Sequence, residues 1–437
     1  MTEQAQPLVA CHHCGNVYGG QELERGETAS CTRCGSVLWR YSSLSVHHWL
    51  ALVITAFIVF CAANAYPVAD MAVQGMTRSA TLLDSIAVTW QQNHEVVAVM
   101  SALSGFVFPL MQLSLLLWVL LPLSLNLRPW GFATAMRLLG VVKPWCMVPV
   151  FLLGVLVSVV KLAGMARVTP GLGLFAFAFL TVLLTMFSRL PPSSLWRHAE
   201  RRGIVPTHVP ELSADQVLVG CHVCGQVQAV DGEESDEALH HCVRCDAVVH
   251  QRKPNHVART WALIIAAIVC YFPANLLPVM RIQTLLGTTE HTILGGVIEL
   301  WKSESFDIAI IVFIASVVVP MFKLLALGVL VIGVQRESTH KLRARTRLYE
   351  VVEFIGQWSM LDVFVVILLA ALANFNGLMQ ISAGTGAAAF GAVVIFTMLA
   401  AMSFDPRRSW DHVDDVDDEP AALSTCRLPR APASSAS

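Results

Sequence analysis

The chain has 437 residues, of which 55% are hydrophobic and 14% charged, and its mean hydropathy is +0.61. Soluble domains carry about 25% charged residues, so this composition excludes an ordinary soluble globule and points to an integral membrane protein. The formal net charge of −2 excludes the electrostatic footprint of a nucleic-acid binder.

The first 48 residues are polar and carry Cys11-His-His-Cys14-Gly15 and Cys31-Thr-Arg-Cys34. No signal peptide is expected, because the first apolar run begins near Trp49, behind this segment. The spacing is C-x2-C-x16-C-x2-C, and C-x2-C-x17-C-x2-C follows at Cys221, Cys224, Cys242 and Cys245. Paired thiolates two residues apart reach one ion from a tight turn, and zinc takes four such ligands tetrahedrally. Gly15, Gly35 and Gly225 follow a pair directly, where the turn needs positive φ, and Asp246 takes that place in the fourth. Two zinc ribbons, with one ion each, are the expectation. Each is too small to bury an adequate core and should fold on its metal. His12, His13, His222, His240 and His241 are read as flanking groups. The competing reading is a redox dithiol, but no thioredoxin-like βαβ pattern surrounds the pairs. Cys61, Cys146 and Cys270 lie in apolar runs and Cys426 in the tail; these four are read as inert.

Apolar runs follow near Trp49–Tyr66, Val96–Leu121, Trp145–Ala163 and Leu172–Ser188. After the second cysteine module four more follow, near Trp261–Leu277, Ile308–Gln335, Phe354–Asn374 and Gly384–Phe404. Most approach or exceed the 18–20 residues of a spanning helix. The order repeats: Asn64-Ala-Tyr-Pro67 matches Asn275-Leu-Leu-Pro278, Trp90 matches Trp301, and Phe108-Pro109-Leu110 matches Val319-Pro320-Met321. An internal duplication is therefore expected. Thr81–Trp90 and Thr292–Trp301 read as short interfacial helices or as a docking surface for an outer partner.

Of the 29 lysines and arginines, 23 lie on the side of the cysteine pairs and four on the opposite side. By the positive-inside rule the ribbons and both termini should be cytoplasmic. The remaining two, Lys161 and Lys323, lie inside apolar runs. Lys323 is the one charge between Ile308 and Gln335, near the centre of that run. A mid-bilayer lysine costs about 2.5–3.5 kcal/mol or more on insertion, so it should face protein or a wet cavity. Asp362 is its candidate countercharge, and Thr397 could add a hydroxyl. Pro109 and Pro320 each free a carbonyl four residues earlier, at Gly105 and Ser316, where local unwinding is expected. In the duplication Lys323 aligns with Gln112, Asp362 with Pro149, and Lys161 with Asn374. There is no nucleotide loop, no Ser-His-Asp order and no His-Glu-x-x-His, so no enzyme is read.

Two four-cysteine ribbons, each followed by four spans, resemble the bacterial paraquat-inducible protein A family. So do Trp145–Leu162, Trp358-Ser-Met-Leu-Asp-Val-Phe364, Ala-Asn-x-x-Pro at Asn64 and Asn275, and the Pro-x-x-Lys-Leu ending at Leu324. The likeness covers about residues 10 to 408. It implies an inner-membrane protein working with a periplasmic mammalian-cell-entry (MCE) tunnel protein to move phospholipid or other lipids between membranes. It also implies a polar network of Lys161, Lys323, Asp362 and Thr397, with Pro149 and Gly164 standing where acidic residues are expected.

The expected fold is thus an all-α integral membrane protein with eight transmembrane helices in two duplicated four-helix modules. Each module is preceded by a small cytoplasmic zinc ribbon. The segments are 1–48 (ribbon), 49–190 (helices), 191–215 (linker), 216–260 (ribbon), 261–404 (helices) and 405–437 (disordered acidic tail). The alternatives to lipid transport are a redox or stress-response membrane protein with cycling cysteines, and a non-transporting scaffold.

Overall fold

A computed structural model describes residues 8–411 apart from 21–22, 25–26, 42–43, 74–75, 164–166, 189, 191, 207–215, 232–239, 285–286, 303, 305, 357–360 and 373–378. The chain starts with two antiparallel hairpins, β1 (Leu8–Ala10) with β2 (Val17–Gly19) and β3 (Thr28–Ser30) with β4 (Val37–Arg40). Ser45 then caps α1 (Val46–Ala65), its side chain accepting from the His48 N–H.

α1 ends where Asn64 turns its amide back onto the Phe60 carbonyl at 2.9 Å. The chain then pairs β5 (Ala69–Val73) with β6 (Met76–Ala80) and enters α2 (Leu82–Gln91) through a Thr81–Asp84 capping box. A longer helical stretch follows: α3 (Glu95–Ala102), a π-helical turn Leu103–Val107, and α4 (Phe108–Ser124). The π turn has a local cause. Pro109 has no N–H for the Gly105 carbonyl, and the ladder shifts so that the Phe108 N–H meets the Leu103 carbonyl. Next come α5 (Phe132–Val142), α6 (Val148–Ala163), β7 (Arg167–Pro170) and α7 (Leu172–Ser188). β7 completes a three-stranded sheet in the order β6-β5-β7. α1 packs on α4 and α7, and α6 on α7.

The second half repeats this order. After α8 (Pro192–Arg201) come the hairpins β8 (Gln216–Gly220) with β9 (Val227–Asp231) and β10 (His240–His241) with β11 (Val248–Val249). α9 (His256–Leu276) ends with the Asn275 amide on the Tyr271 carbonyl, again at 2.9 Å. β12 (Met280–Thr284), β13 (Gly287–His291) and the later β14 (Met379–Ala383) form a second sheet in the order β13-β12-β14. α10 (Ile293–Lys302), α11 (Phe306–Phe313), a π turn Ile314–Val318 and α12 (Val319–Gln335) follow. That π turn sits before Pro320 as the first sits before Pro109. The last described elements are α13 (Leu342–Gly356), α14 (Leu361–Leu372), α15 (Thr385–Ser403) and a short 3₁₀ turn, Pro406–Trp410.

Among the described residues, six helical stretches are long and apolar enough to cross a membrane: 46–65, 95–124, 132–159, 256–276, 309–335 and 385–403. A seventh arises only if α7 and α8, bent by 61°, count as one. Eight were expected. α7 has 17 residues, about 25 Å at 1.5 Å each, and α14 has 12. The all-α expectation also needs correcting, since each half carries a three-stranded sheet beyond its first helix. Those strands fell in segments read as outer loops. β5 pairs with β7 across roughly a hundred residues, a contact that local periodicity cannot signal.

Backbone hydrogen bonds join the entry to each sheet to the start of a later helix. The Gly173 N–H donates to the Pro67 carbonyl at 2.9 Å and the Gly171 N–H to Val68 at 3.0 Å. In the second half Gly386 donates to Pro278 at 3.0 Å and Gly384 to Val279 at 2.7 Å. A Cβ on Gly171 would lie 2.2 Å from the Pro67 oxygen, and one on Gly384 would lie 2.0 Å from that of Pro278. Only glycine allows this approach.

α6 and α14 carry the contact between the halves. Phe151 and Phe364, on α6 and α14, meet edge-on with centroids 5.4 Å apart. Gly154 lets the backbones close, its would-be Cβ lying 3.0 Å from the Phe364 Cβ. α14 also packs on α2 and α3, so it belongs to the first half's core, while α9, α12, α13 and part of α15 form a second cluster.

The cysteine hairpins cross over. The first pair sits on the second half: Arg343 of α13 donates to the Thr32 and Arg33 carbonyls at 3.1 and 3.0 Å, and Arg33 stacks on Trp410 at 5.3 Å. The second pair sits on the first half. Arg244 pairs with Glu200 and lies 5.1 Å over Trp196, both of α8, and Arg137 of α5 donates to the Asp246 carbonyl at 3.1 Å. Residues 191–215, read as a linker, thus supply a helix with Leu195, Trp196 and Ala199 buried. The tail read as disordered from 405 begins with the ordered Pro406–Trp410 turn, and 412–437 lie outside the described residues.

Candidate metal centres and a buried polar site

Each Cys-x-x-Cys closes the same turn. The N–H of the first cysteine reaches the carbonyl five residues on, at 2.8 Å in all four: Asn16, Ser36, Gln226 and Ala247. The residue after the second cysteine sits at φ +80 (Gly15), +83 (Gly35), +76 (Gly225) and +55 (Asp246). Asp is among the few side chains that tolerate this region, so the missing glycine leaves the turn intact.

These turns bring the sulfurs together. Cys11 and Cys34 Sγ are 3.6 Å apart and Cys14 and Cys31 3.5 Å; in the second module Cys221–Cys245 is 3.6 Å and Cys224–Cys242 3.5 Å. All eight cysteines are buried and free, and the four sulfurs of each module lie within 4.8 Å of one another. Disulfides need about 2.05 Å. A tetrahedral thiolate site with metal–sulfur bonds of about 2.3 Å has edges of about 3.8 Å, so both clusters fit one ion. Without a cation the four sulfurs cannot all ionise, because like charges this close repel. Hydrogen bonds from Cys11, Cys14 and Cys34 push Cys31 down, while Cys11, Cys31 and Cys34 push Cys14 up. A divalent metal removes that conflict by taking all four as thiolates.

The support differs between modules. Tyr18, missed in the sequence, places its hydroxyl 3.1 Å from Cys31 Sγ. At the matching place Gln228 donates to the His241 carbonyl at 3.3 Å and accepts from the Val243 N–H at 3.1 Å. His13 faces Glu350 of α13 at 3.8 Å and Tyr349 edge-on at 6.1 Å, contacts between its hairpin and the second half. Asp405 was also missed, though an Asp before Pro is an N-cap signal. It accepts from Arg407 Nε and Nη2 at 3.0 and 2.9 Å and from the Lys253 N–H at 3.0 Å. Burial raises its pKa, but the Arg407 bonds and charge win and hold it at about 2.

Inside the helices, Lys323 is fully buried and donates from Nζ to Thr397 Oγ1 of α15 at 2.9 Å. Thr397, 1% exposed, donates in turn to the Val394 carbonyl at 3.0 Å. Two of the four intramembrane residues named from the sequence therefore meet. The side chains of Asp362 on α14 and Lys161 on α6 lie outside the described residues. Ser316, two turns earlier in the π segment, is buried and donates to the Val312 carbonyl at 2.6 Å. Gln112, the counterpart of Lys323, is 4% exposed and its Oε1 has no hydrogen-bond partner among the described residues. Both halves thus bury a polar residue at this level of the second long helix, but only the second buries a cation.

The sequence profile of the paraquat-inducible protein A family matches residues 46–200 and 257–414. The chain is 32% identical over 421 residues to intermembrane transport protein PqiA of Escherichia coli, covering 94% of this chain and 97% of the relative. It is 30% identical over 407 residues to lipophilic envelope-spanning tunnel protein A of E. coli, covering 92% and 90%. A probable intermembrane transport protein of Haemophilus influenzae is 29% identical over 405 residues, covering 92% and 95%. No solved structure matches. The chain belongs to the paraquat-inducible protein A family.

Proposed function

We propose that this protein is the inner-membrane component of an intermembrane lipid transport system, loading or unloading phospholipid for a periplasmic MCE tunnel protein. The printed roles of its relatives, intermembrane transport and a lipophilic envelope-spanning tunnel, support this. The observation that carries it is Lys323, buried in an apolar helix and held by Thr397. A charge there is costly to insert and marks a pathway for polar headgroups or protons. In this reading the lipid enters among the second-half helices. Its headgroup meets Lys323, Thr397 and Asp362, with Lys161 as an outlying member in the first half. The lipid then leaves outward to the docked tunnel.

The topology that goes with this reading is eight spans in two duplicated modules, with α7 and α14 as the shorter ones. The cysteine ribbons and both termini face the cytoplasm, as the 23-to-4 distribution of lysine and arginine supports. Each ribbon holds zinc, the ion suited to a closed four-thiolate site. Such a site leaves no open coordination position, which favours bracing over catalysis, and the protein acts without catalytic residues. Nothing in the chain hydrolyses nucleotide, so direction comes from a lipid gradient or another component.

The test is purification from membranes with mass spectrometry of bound lipids and proteins, alongside lipid transfer by Lys323→Ala. Co-purified phospholipid and a large periplasmic tunnel protein, with transfer lost in the variant, are expected. Reversible disulfides that track activity would instead support the redox reading. Transfer that survives Lys323→Ala while assembly depends on the outer sheets would support the scaffold.

A further inference from the structure

We infer that the cavity between the cysteine hairpins and the helix ends beneath them binds a phosphate-bearing anion, the headgroup of an acidic phospholipid of the adjoining leaflet. The cavity has a volume of about 1500 Å³. Seven lysine and arginine side chains line it against two carboxylates, Glu353 and Asp405. Asp411, outside the lining, pairs with one of the seven, Arg252. Four positive charges remain in excess. The first cysteine centre borders the cavity through Cys11 and Cys14. Four thiolates and a divalent ion bring two negative charges, so an excess of two survives when that centre is filled. Histidines 12, 13, 222 and 250 add polar ring nitrogens to the same wall.

The bland explanation is that these cations only cap helices. It covers some of them. Lys143 donates to the Ser188 carbonyl at the end of α7 at 2.9 Å, and Lys253 to the Met402 carbonyl at 2.7 Å. A carbonyl end carries about half a charge at most, so capping leaves net positive charge in place. It does not cover Arg197 of α8, half-buried in the cavity wall and without a carboxylate partner among the described residues, or Arg40 at the end of β4. Guanidinium groups match phosphate oxygens bidentately.

The rest of the lining selects an amphiphile. Leu44 and Trp49 at the start of α1, and Met186 and Leu190 at the end of α7, border the same space. These are the levels at which two apolar helices begin and end, so a headgroup bound beside Arg197 and Lys143 keeps its first methylenes on an apolar wall. Basic pockets between helices on the positively charged side of membrane proteins hold acidic headgroups for this reason. The inference rests on the membrane-spanning reading above but not on transport, and its test scores binding alone.

The experiment is a titration of the purified, metal-loaded full chain in neutral detergent, read by native mass spectrometry. The probes are phosphatidylglycerol, phosphatidylcholine and glycerol 3-phosphate. At least tenfold preference for phosphatidylglycerol over phosphatidylcholine is expected, falling at least fivefold in Lys143→Gln/Arg197→Gln with two metals per chain retained. Glycerol 3-phosphate binding as tightly as phosphatidylglycerol would keep the anion site but assign it to a soluble phosphate. No preference, or a preference unchanged by the double variant, overturns the site. Should the double variant lose metal, Arg40→Gln replaces it with an expected loss of at least twofold. A photo-reactive phosphatidylglycerol must then label residues 186–197, and labelling confined to the outer ends of the helices overturns the proposal.

Discussion

The two halves of this protein share a plan and differ at two places. Each runs hairpins, helix, sheet, short helix, π turn before proline, long helix and a glycine that seats the last helix on the sheet. The first difference is at mid-helix, where Gln112 stands in one and Lys323 with Thr397 in the other. The second is beside the sulfurs, where the Tyr18 hydroxyl stands in one and the Gln228 amide in the other. Each pair of cysteine hairpins rests on the opposite half, so the halves are tied twice, through α6–α14 and through the crossed hairpins. The difference teaches that a repeated frame can leave one copy free to be structural while the other holds a costly buried charge.

Metal removal should have the largest effect and tests the crossing. Cys11→Ser/Cys34→Ser should lower the metal content from two ions to one. Hydrogen exchange should then rise in α13 and the 406–410 turn, far along the chain from the mutation. Cys221→Ser/Cys245→Ser should instead loosen α5 and α8. Exchange rising only in the hairpin's own half would break the comparison.

Next are the glycines. Gly171→Ala and Gly384→Ala each force a methyl to about 2 Å from a carbonyl oxygen. Overpacking costs about 1–3 kcal/mol or more, and the two should lower thermal stability similarly, since the junction is alike in both halves. A neutral Gly384→Ala would show that the second junction is looser than the first.

The smallest effect is acid sensitivity at Asp405. Its pKa is held at about 2 against an ordinary 3.8, so its folded-state contribution is fully present above pH 4. It fades as pH falls through 2. The gap amounts to about 2 kcal/mol. Asp405→Asn should lose that stabilisation at pH 7 and flatten the pH dependence between 4 and 2, measured by thermal unfolding. An unchanged melting temperature at pH 7 would mean that Arg407 and Lys253 find other partners.

Much of this was legible in the residues. The Cys-x-x-Cys spacing specified four turns and two sulfur clusters, because a turn of that kind is a local structure with few solutions. The prolines marked the bulges, though as π turns and not as unwound backbone. A buried charge in an apolar run must meet something polar, so Asp362 was read as the countercharge of Lys323 and Thr397 as an added hydroxyl; Lys323 meets Thr397, and the Asp362 side chain lies outside the described residues. What could not be read was set by distance along the chain. β5 with β7, β12 with β14, and the crossing of the hairpins all join segments without a local signal. Trp196 looked like linker because its partner Arg244 lies far along the chain, in the second cysteine module, whereas Asp405 was passed over although its partner Arg407 is two residues away.

The most direct test of the central claim, that the second half holds the working polar site, changes each of the two mid-helix residues in turn. Lys323→Gln makes the second half resemble the first, and Gln112→Ala removes the first half's polar group. Lipid transfer would be measured from proteoliposomes carrying the protein and its co-purifying partner, with metal content and melting temperature as controls. At least a tenfold loss is expected for Lys323→Gln and less than a twofold change for Gln112→Ala. Equal losses, or transfer untouched by Lys323→Gln in a folded, metal-loaded protein, would contradict it.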